Sequence, residues 1–277
     1  MWGPPWASGG VNLQTRHRDA MIRGMDSSTP FSHGLWPVAR MLGACRWVEL
    51  PHVFRPGQSR YPGDPDQVTE TYATVDSDGF HIDRFSFISQ WSTHIDAPGH
   101  RISGGTTLAD IAPEKLFLPL TVIDVSPKVA DNPDYLADTA DITAHEALHG
   151  PIPEGSFVAV ASNWSARWED PRAYLGTDTQ GVHHFPGISA RAVEYLANKR
   201  RIAVLGHESP ATDPAYLSCD RAGYPAHTRA AEAGIPLVEM MTNLDQVPAT
   251  GAVASIGFPV PAGATGFPVR VLAALPG

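Results

Sequence analysis

The chain has 277 residues, 43% hydrophobic and 18% charged, which is the make-up of a globular protein able to bury a proper core. Its formal charge of -9 argues against nucleic acid or an anionic membrane as partner, because both select a basic face. Cys45 and Cys219 lack Cys-x-x-Cys spacing, so any metal must be held by nitrogen and oxygen. No apolar run approaches the ~20 residues of a membrane span, and Met1–Trp6 lacks the charged and apolar regions of a signal peptide, so the expected location is the cytoplasm.

Residues 1–36 are rich in Gly, Pro, Ser and charge and read as an N-terminal arm, either a mobile tail or a segment that packs on a neighbouring subunit or roofs a pocket. A single domain is expected over 37–277. Pro37 opens a short helix, followed by a strand ending at Glu49-Leu50. Pro51 to Asp66 is broken by four prolines and two glycines and reads as irregular loop. His17, His33 and His52 lie in polar or Pro-flanked stretches and are expected to be exposed. Val68 to Val75 and Phe80 to Ile88 read as an antiparallel strand pair joined by Asp76-Ser77-Asp78-Gly79, with the second strand running on into the most informative stretch.

That stretch is Ser89 to His100, Ser-Gln-Trp-Ser-Thr-His-Ile-Asp-Ala-Pro-Gly-His. Strand alternation would put Gln90, Ser92, His94 and Asp96 on one face and Trp91, Thr93 and Ile95 on the other. His94 and Asp96 would then lie roughly 6.5–7 Å apart at Cα, within reach of one ion. Pro98 and Gly99 end the strand and deliver His100 beside the same face.

Ser92 to His100 resembles the signature of the metal-dependent cyclase superfamily, which includes bacterial kynurenine formamidase and isatin hydrolase. Its usual pattern is His-x-Gly-Thr-His-x-Asp-x-Pro-x-His; here Gln90 replaces the first His and Ser92 the Gly. The resemblance implies that His94 and Asp96 bind metal and that His100 works as acid or base. It also implies a swivelling β/β/α-like fold. With Gln90 in place of His, it points to one divalent ion, zinc or manganese, rather than two. A homodimer or homotetramer is the accompanying expectation for the assembly.

Beyond the motif, Gly104-Gly105 reads as a turn, Leu108–Ile111 as a short helical piece and Leu120–Val125 as an apolar strand with Asp124 bonded at its end. Thr143-Ala-His-Glu146 fits a capping box opening a helix to His149, with His145 and His149 solvated. Phe157–Ser162 is a strand leading to Trp164 and Trp168, in a segment resembling the family's pocket wall. Ser189 caps a helix that precedes strand Ile202–Leu205, and the same order recurs in Ala226–Gly234 and Ile235–Met241. Helices leading directly into strands indicate α/β layering, so the fold class is mixed α+β, with a central mixed or barrel-like sheet flanked by helices.

Gly206-His207-Glu208 sits at a strand's carboxyl end, where such sheets open into ligand crevices. Glu239, inside an apolar strand, must be exposed by alternation or met by a cation or hydrogen bonds. His227, twelve residues earlier, is its expected companion, and the resemblance places a His and a Glu at this spacing in the metal centre. The candidate ligands are therefore His94, Asp96, Gln90, His227 and Glu239. His100 is the proton shuttle, with Glu239 an alternative base. Trp91, Trp164, Phe87, His207 and Glu208 are the candidate substrate wall. The expected activity is hydrolysis of a small cyclic or aryl amide by metal-activated water. A lactone hydrolase, or a non-catalytic protein of the same fold, is the alternative.

Overall fold

The computed structural model describes residues 34–219 and 223–276. It divides into two units, Met1–Ala44 and Cys45–Gly277. In the first, Pro37 starts the helix Trp36–Gly43, none of whose residues is buried. The rest of the expected arm, up to residue 33, including His17 and His33, lies outside the described residues.

The second unit is built on a curled, mixed nine-stranded sheet flanked by helices. Its strands and those of two small ribbons follow in chain order: β1 (Arg46–Glu49), β2 (Val68–Ala73), β3 (Ile82–Ser86), β4 (His94–Asp96), β5 (Phe117–Asp124), β6 (Leu136–Ala137) and β7 (Phe157–Ala161). Then come β8 (Gly187–Ile188), β9 (Val204–His207), β10 (Leu237–Glu239), β11 (Ala252–Gly257), β12 (Gly266–Pro268) and β13 (Arg270–Leu275). The large sheet runs β1-β13-β11-β5-β7-β9-β10-β4-β12, and β5, β7, β9 and β10 form its parallel centre. These central strands are short, nearly continuous apolar runs because both faces are covered. Alternate residues of β7 show it: Val158 and Val160 enter one core, Phe157, Ala159 and Ala161 the other.

Two expectations shift. The motif does not continue the hairpin strand. β3 ends at Ser86 and pairs only with β2, while β4 is a separate three-residue strand between β10 and β12. Ser92 adopts φ +59°, a left-handed conformation no strand contains, so alternation cannot run from Gln90 to Asp96. The helix expected from Thr143 begins at Thr139, because Asp138 and Asp141 form the capping box and Glu146 is instead engaged by Arg200 and Tyr195. Ile142 and His145 then share an inward face, and His145 is buried rather than solvated. Asp124 does bond at its strand end, accepting from the Ser126 backbone N–H at 2.8 Å, and Ser189 caps its helix as read.

Candidate metal centre

β4 and β10 are antiparallel neighbours with His94 directly opposite Glu239, which sets the two side chains on one face. Asp96, two residues along β4, shares that face. The turn Pro98–His100 brings His100 to the rim, and the helix Pro225–Glu232 supplies His227. Asp213 anchors that helix, accepting from the backbone N–H groups of Ala226 and His227 at 2.8 and 3.1 Å.

Around Asp96 Oδ2 lie His227 Nε2 at 3.4 Å, His94 Nε2 at 3.6 Å and His100 Nε2 at 3.9 Å. His94 Nε2 is also 3.6 Å from Glu239 Oε2. His94, Asp96, His227 and Glu239 are buried; His100 is partly open to solvent.

The hydrogen bonds leave an excess of lone pairs at the centre. The Ser92 carbonyl lies 2.9 Å from His94 Nδ1 and can only accept, so Nδ1 carries a proton and Nε2 is left to bring either a second proton or, when the ring is neutral, a lone pair to the carboxylates. Glu239 Oε1 is saturated by the Thr212 N–H, the Thr212 hydroxyl and His207 Nε2 at 3.0, 2.6 and 3.2 Å. Asp96 Oδ1 takes the Gln90 amide at 3.1 Å, while Oδ2 is buried with no hydrogen-bond partner.

An orphan carboxylate oxygen beside imidazole and carboxylate lone pairs is costly without a positive charge. Two donors on one tetrahedral ion, each at the usual ~2.0–2.1 Å, lie about 3.4 Å apart, close to the separations found here. The residues therefore fit a divalent cation, in two overlapping sets that share Asp96: His94, Asp96 and Glu239, or Asp96, His100 and His227.

Electrostatics point the same way. Burial alone pushes the His94 imidazole down, yet Asp96 and Glu239 carry it up to about 9. Burial pushes Asp96 up, but His94 and His227 hold it well below the usual carboxylate range. Glu239, also raised by burial, is held at about 2 by His207 and His227.

Gln90, the further expected ligand, sits beside the cluster. Its amide nitrogen lies 3.1 Å from both Asp96 Oδ1 and His100 Nδ1, and its oxygen takes the Ser89 hydroxyl. It thus orients Asp96 and leaves the other nitrogen of His100 facing the cavity. Gly266, opposite Asp96 on β12, makes this arrangement fit, since a Cβ there would lie 2.3 Å from the Gln90 nitrogen.

An open cavity of about 180 Å³ reaches the cluster, walled also by Tyr61, Asp64, Ile88, Arg101, Tyr224 and Met240. The five expected wall residues do not line it. Trp91 is fully buried, donating its indole N–H to Gln67, and Trp164 is core, donating to the Tyr174 carbonyl. Phe87 packs edge-on against Phe54 and Phe267. His207 supports Glu239 from behind, and Glu208 turns away to accept from the Ser162 N–H and the Ser165 hydroxyl.

The Cyclase family model matches residues 48–214, more than half of the chain. The chain belongs to the cyclase family. An isatin hydrolase of Roseibium aggregatum is 35% identical over 210 residues, covering 73% of this chain and 78% of that protein. Isatin hydrolase A from Ralstonia solanacearum superposes with a TM-score of 0.80 at 31% identity, over 91% of this chain and all of that one. An isatin hydrolase bound to the product analogue thioisatinate gives 0.79 at 28% identity, over 91% and 100%. The family match ends before His227 and Glu239, which join the cyclase motif through the fold.

Sequence reading missed Tyr61, Asp64, Arg101 and Tyr224 in this family member. Tyr61 and Asp64 come from the Pro/Gly-rich loop, which has no periodicity to expose them, and Tyr224 precedes the His227 helix. Arg101 alone carried a signal, as a charged residue directly after the motif. His52, expected to be exposed, stacks on Trp168 with ring centroids 3.9 Å apart. Among the described residues, no helix is long and apolar enough to cross a membrane.

Proposed function

We propose that this cyclase-family hydrolase opens a small cyclic amide of the isatin type, with His94, Asp96, His227 and Glu239 holding one divalent cation, zinc or manganese. The observation that carries this is the buried, unpartnered Asp96 Oδ2 facing three imidazole nitrogens. When bound, the cation supplies a water of lowered pKa and polarises the amide carbonyl. His100, rim-exposed and bonded by Gln90 at Nδ1, presents Nε2 to the cavity and passes the proton to the departing nitrogen. Glu239, with Oε1 saturated, contributes charge through Oε2 rather than taking a proton.

The test is hydrolysis of isatin, an N-formyl aniline and an aryl lactone by protein loaded with zinc or manganese. Isatin turnover well above the other two supports the reading, and an ion-loaded protein inert toward isatin contradicts it.

A homodimer or homotetramer completes the proposal. The β2–β3 ribbon exposes Val68, Tyr72, Ile82 and Phe85, and an isolated two-stranded ribbon is marginal in water. Light scattering after size exclusion tests it, a monomer being the contrary result. The location we assign is the cytoplasm, which fractionation of cells expressing a tagged chain tests.

A further inference from the structure

Arg101 follows His100 at the end of the motif turn and lines the same cavity as His94, Asp96 and Glu239. Its guanidinium lies 4.2 Å over the Tyr224 ring, which fixes one face of the plane. Tyr224 is fixed in turn, its hydroxyl 3.1 Å from that of Tyr61, which donates to the Ser218 carbonyl. Arg101 Nε is buried and has no hydrogen-bond partner. Among the described residues no carboxylate pairs with Arg101, although Asp64 lines the same cavity. A buried guanidinium N–H left unpaired is costly, and a planar oxyanion is the ligand whose geometry answers a guanidinium that lines an open cavity.

We propose that Arg101 is the anion contact of this site, binding the carboxylate of a ring-opened aryl α-keto acid. The assignment rests on the cyclic-amide reading above. In that reaction the water oxygen bonds to the amide carbon and the C–N bond breaks. The ring nitrogen keeps its hydrogen and gains one proton, becoming an aromatic amine. The attacked carbon becomes a carboxylate, and the second water proton leaves to solvent. A neutral substrate thus yields an anionic product beside the cluster, within the cavity that Arg101 lines. Arg101 therefore discriminates product from substrate by charge. It makes the enzyme sensitive to inhibition by its own product.

The probe is phenylglyoxylate, an aryl α-keto acid with no bond to hydrolyse, titrated calorimetrically into metal-loaded wild type, Arg101→Met and Arg101→Lys. Acetophenone serves as the neutral control. Charged hydrogen bonds of this kind give an expected weakening of about tenfold or more for phenylglyoxylate in Arg101→Met, partial recovery in Arg101→Lys and little change for acetophenone. Equal phenylglyoxylate affinity in wild type and Arg101→Met overturns the proposal, as does a parallel loss of acetophenone binding or no binding to wild type. Isatin turnover by wild type is measured separately. A protein that binds phenylglyoxylate through Arg101 without hydrolysing isatin keeps the anion contact and discards the substrate.

Discussion

His94 and Glu239 face each other across the β4–β10 pairing, with Nε2 and Oε2 3.6 Å apart and His94 Nδ1 turned to the Ser92 carbonyl. The strand register thus makes an electrostatic problem that a cation resolves. Substituting His94→Ala or Glu239→Gln is expected to weaken metal binding by more than about 100-fold, beyond the usual effect of groups that merely support ligands. Metal content after dialysis, with hydrolysis measured in parallel, checks it.

Gln90 separates orientation from ligation. Gln90→Leu keeps the volume but removes the amide bonded to Asp96 and His100. Hydrolysis should fall about 10–100-fold with the metal still bound. Loss of metal to the degree seen in His94→Ala would instead make Gln90 a ligand.

Gly266 is sterically committed to the same contact. Gly266→Ala would place a Cβ 2.3 Å from the Gln90 nitrogen and 2.8 Å from Asp96 Oδ1. The expected outcome is a stability loss of about 1–3 kcal/mol, as for other overpacked sites, together with a fall in hydrolysis. Chemical denaturation and steady-state rates check the two parts.

Ser92 holds φ +59° with its hydroxyl buried and unpartnered, so it carries both backbone strain and a desolvated oxygen. Ser92→Gly relieves both and gives back some chain entropy, for an expected net gain of roughly 1 kcal/mol. The contact from His94 Nδ1 is to the Ser92 carbonyl, so activity should stay within about twofold of wild type. A thermal melt with a rate assay checks both.

His52 sets a pH dependence remote from the chemistry. Burial against Trp168 pushes its imidazole down to about 4, from about 6.5 in an unfolded chain. As pH falls below 6.5 the unfolded state takes up the proton first. The contribution of His52 to stability is therefore fully present above 6.5 and is lost progressively toward pH 4. The loss is of order 1–3 kcal/mol. His52→Phe, which keeps a stacked ring, should flatten that part of the stability curve relative to wild type in denaturant titrations from pH 4 to 7.

Much of the centre was legible because its chemistry is local. His94, Asp96 and His100 fall within seven residues, and a glutamate inside an apolar strand needs a partner that a helix twelve residues back can supply. The parallel strands were legible for the same kind of reason, as apolar runs bounded by caps such as Ser189. What failed depended on distant contacts. Nothing in the residues near Trp91 or Trp164 says that Gln67 and the Tyr174 carbonyl will draw their indoles into the core. Gln90 does meet Asp96 and His100 in one cavity, but not by alternation along one strand, because a left-handed residue, Ser92, divides what looked like a single strand. Two capping boxes competed around the helix at Thr139–His149, and the tertiary pull of Arg200 on Glu146 decided for the earlier one.

The most direct test is an anomalous-difference map from a crystal of this protein soaked in manganese. One strong peak is expected against His94 Nε2, Asp96 Oδ2, His227 and Glu239 Oε2, absent from a Glu239→Gln crystal together with isatin hydrolysis. Full hydrolysis by protein whose map shows no ion against Asp96 would contradict it.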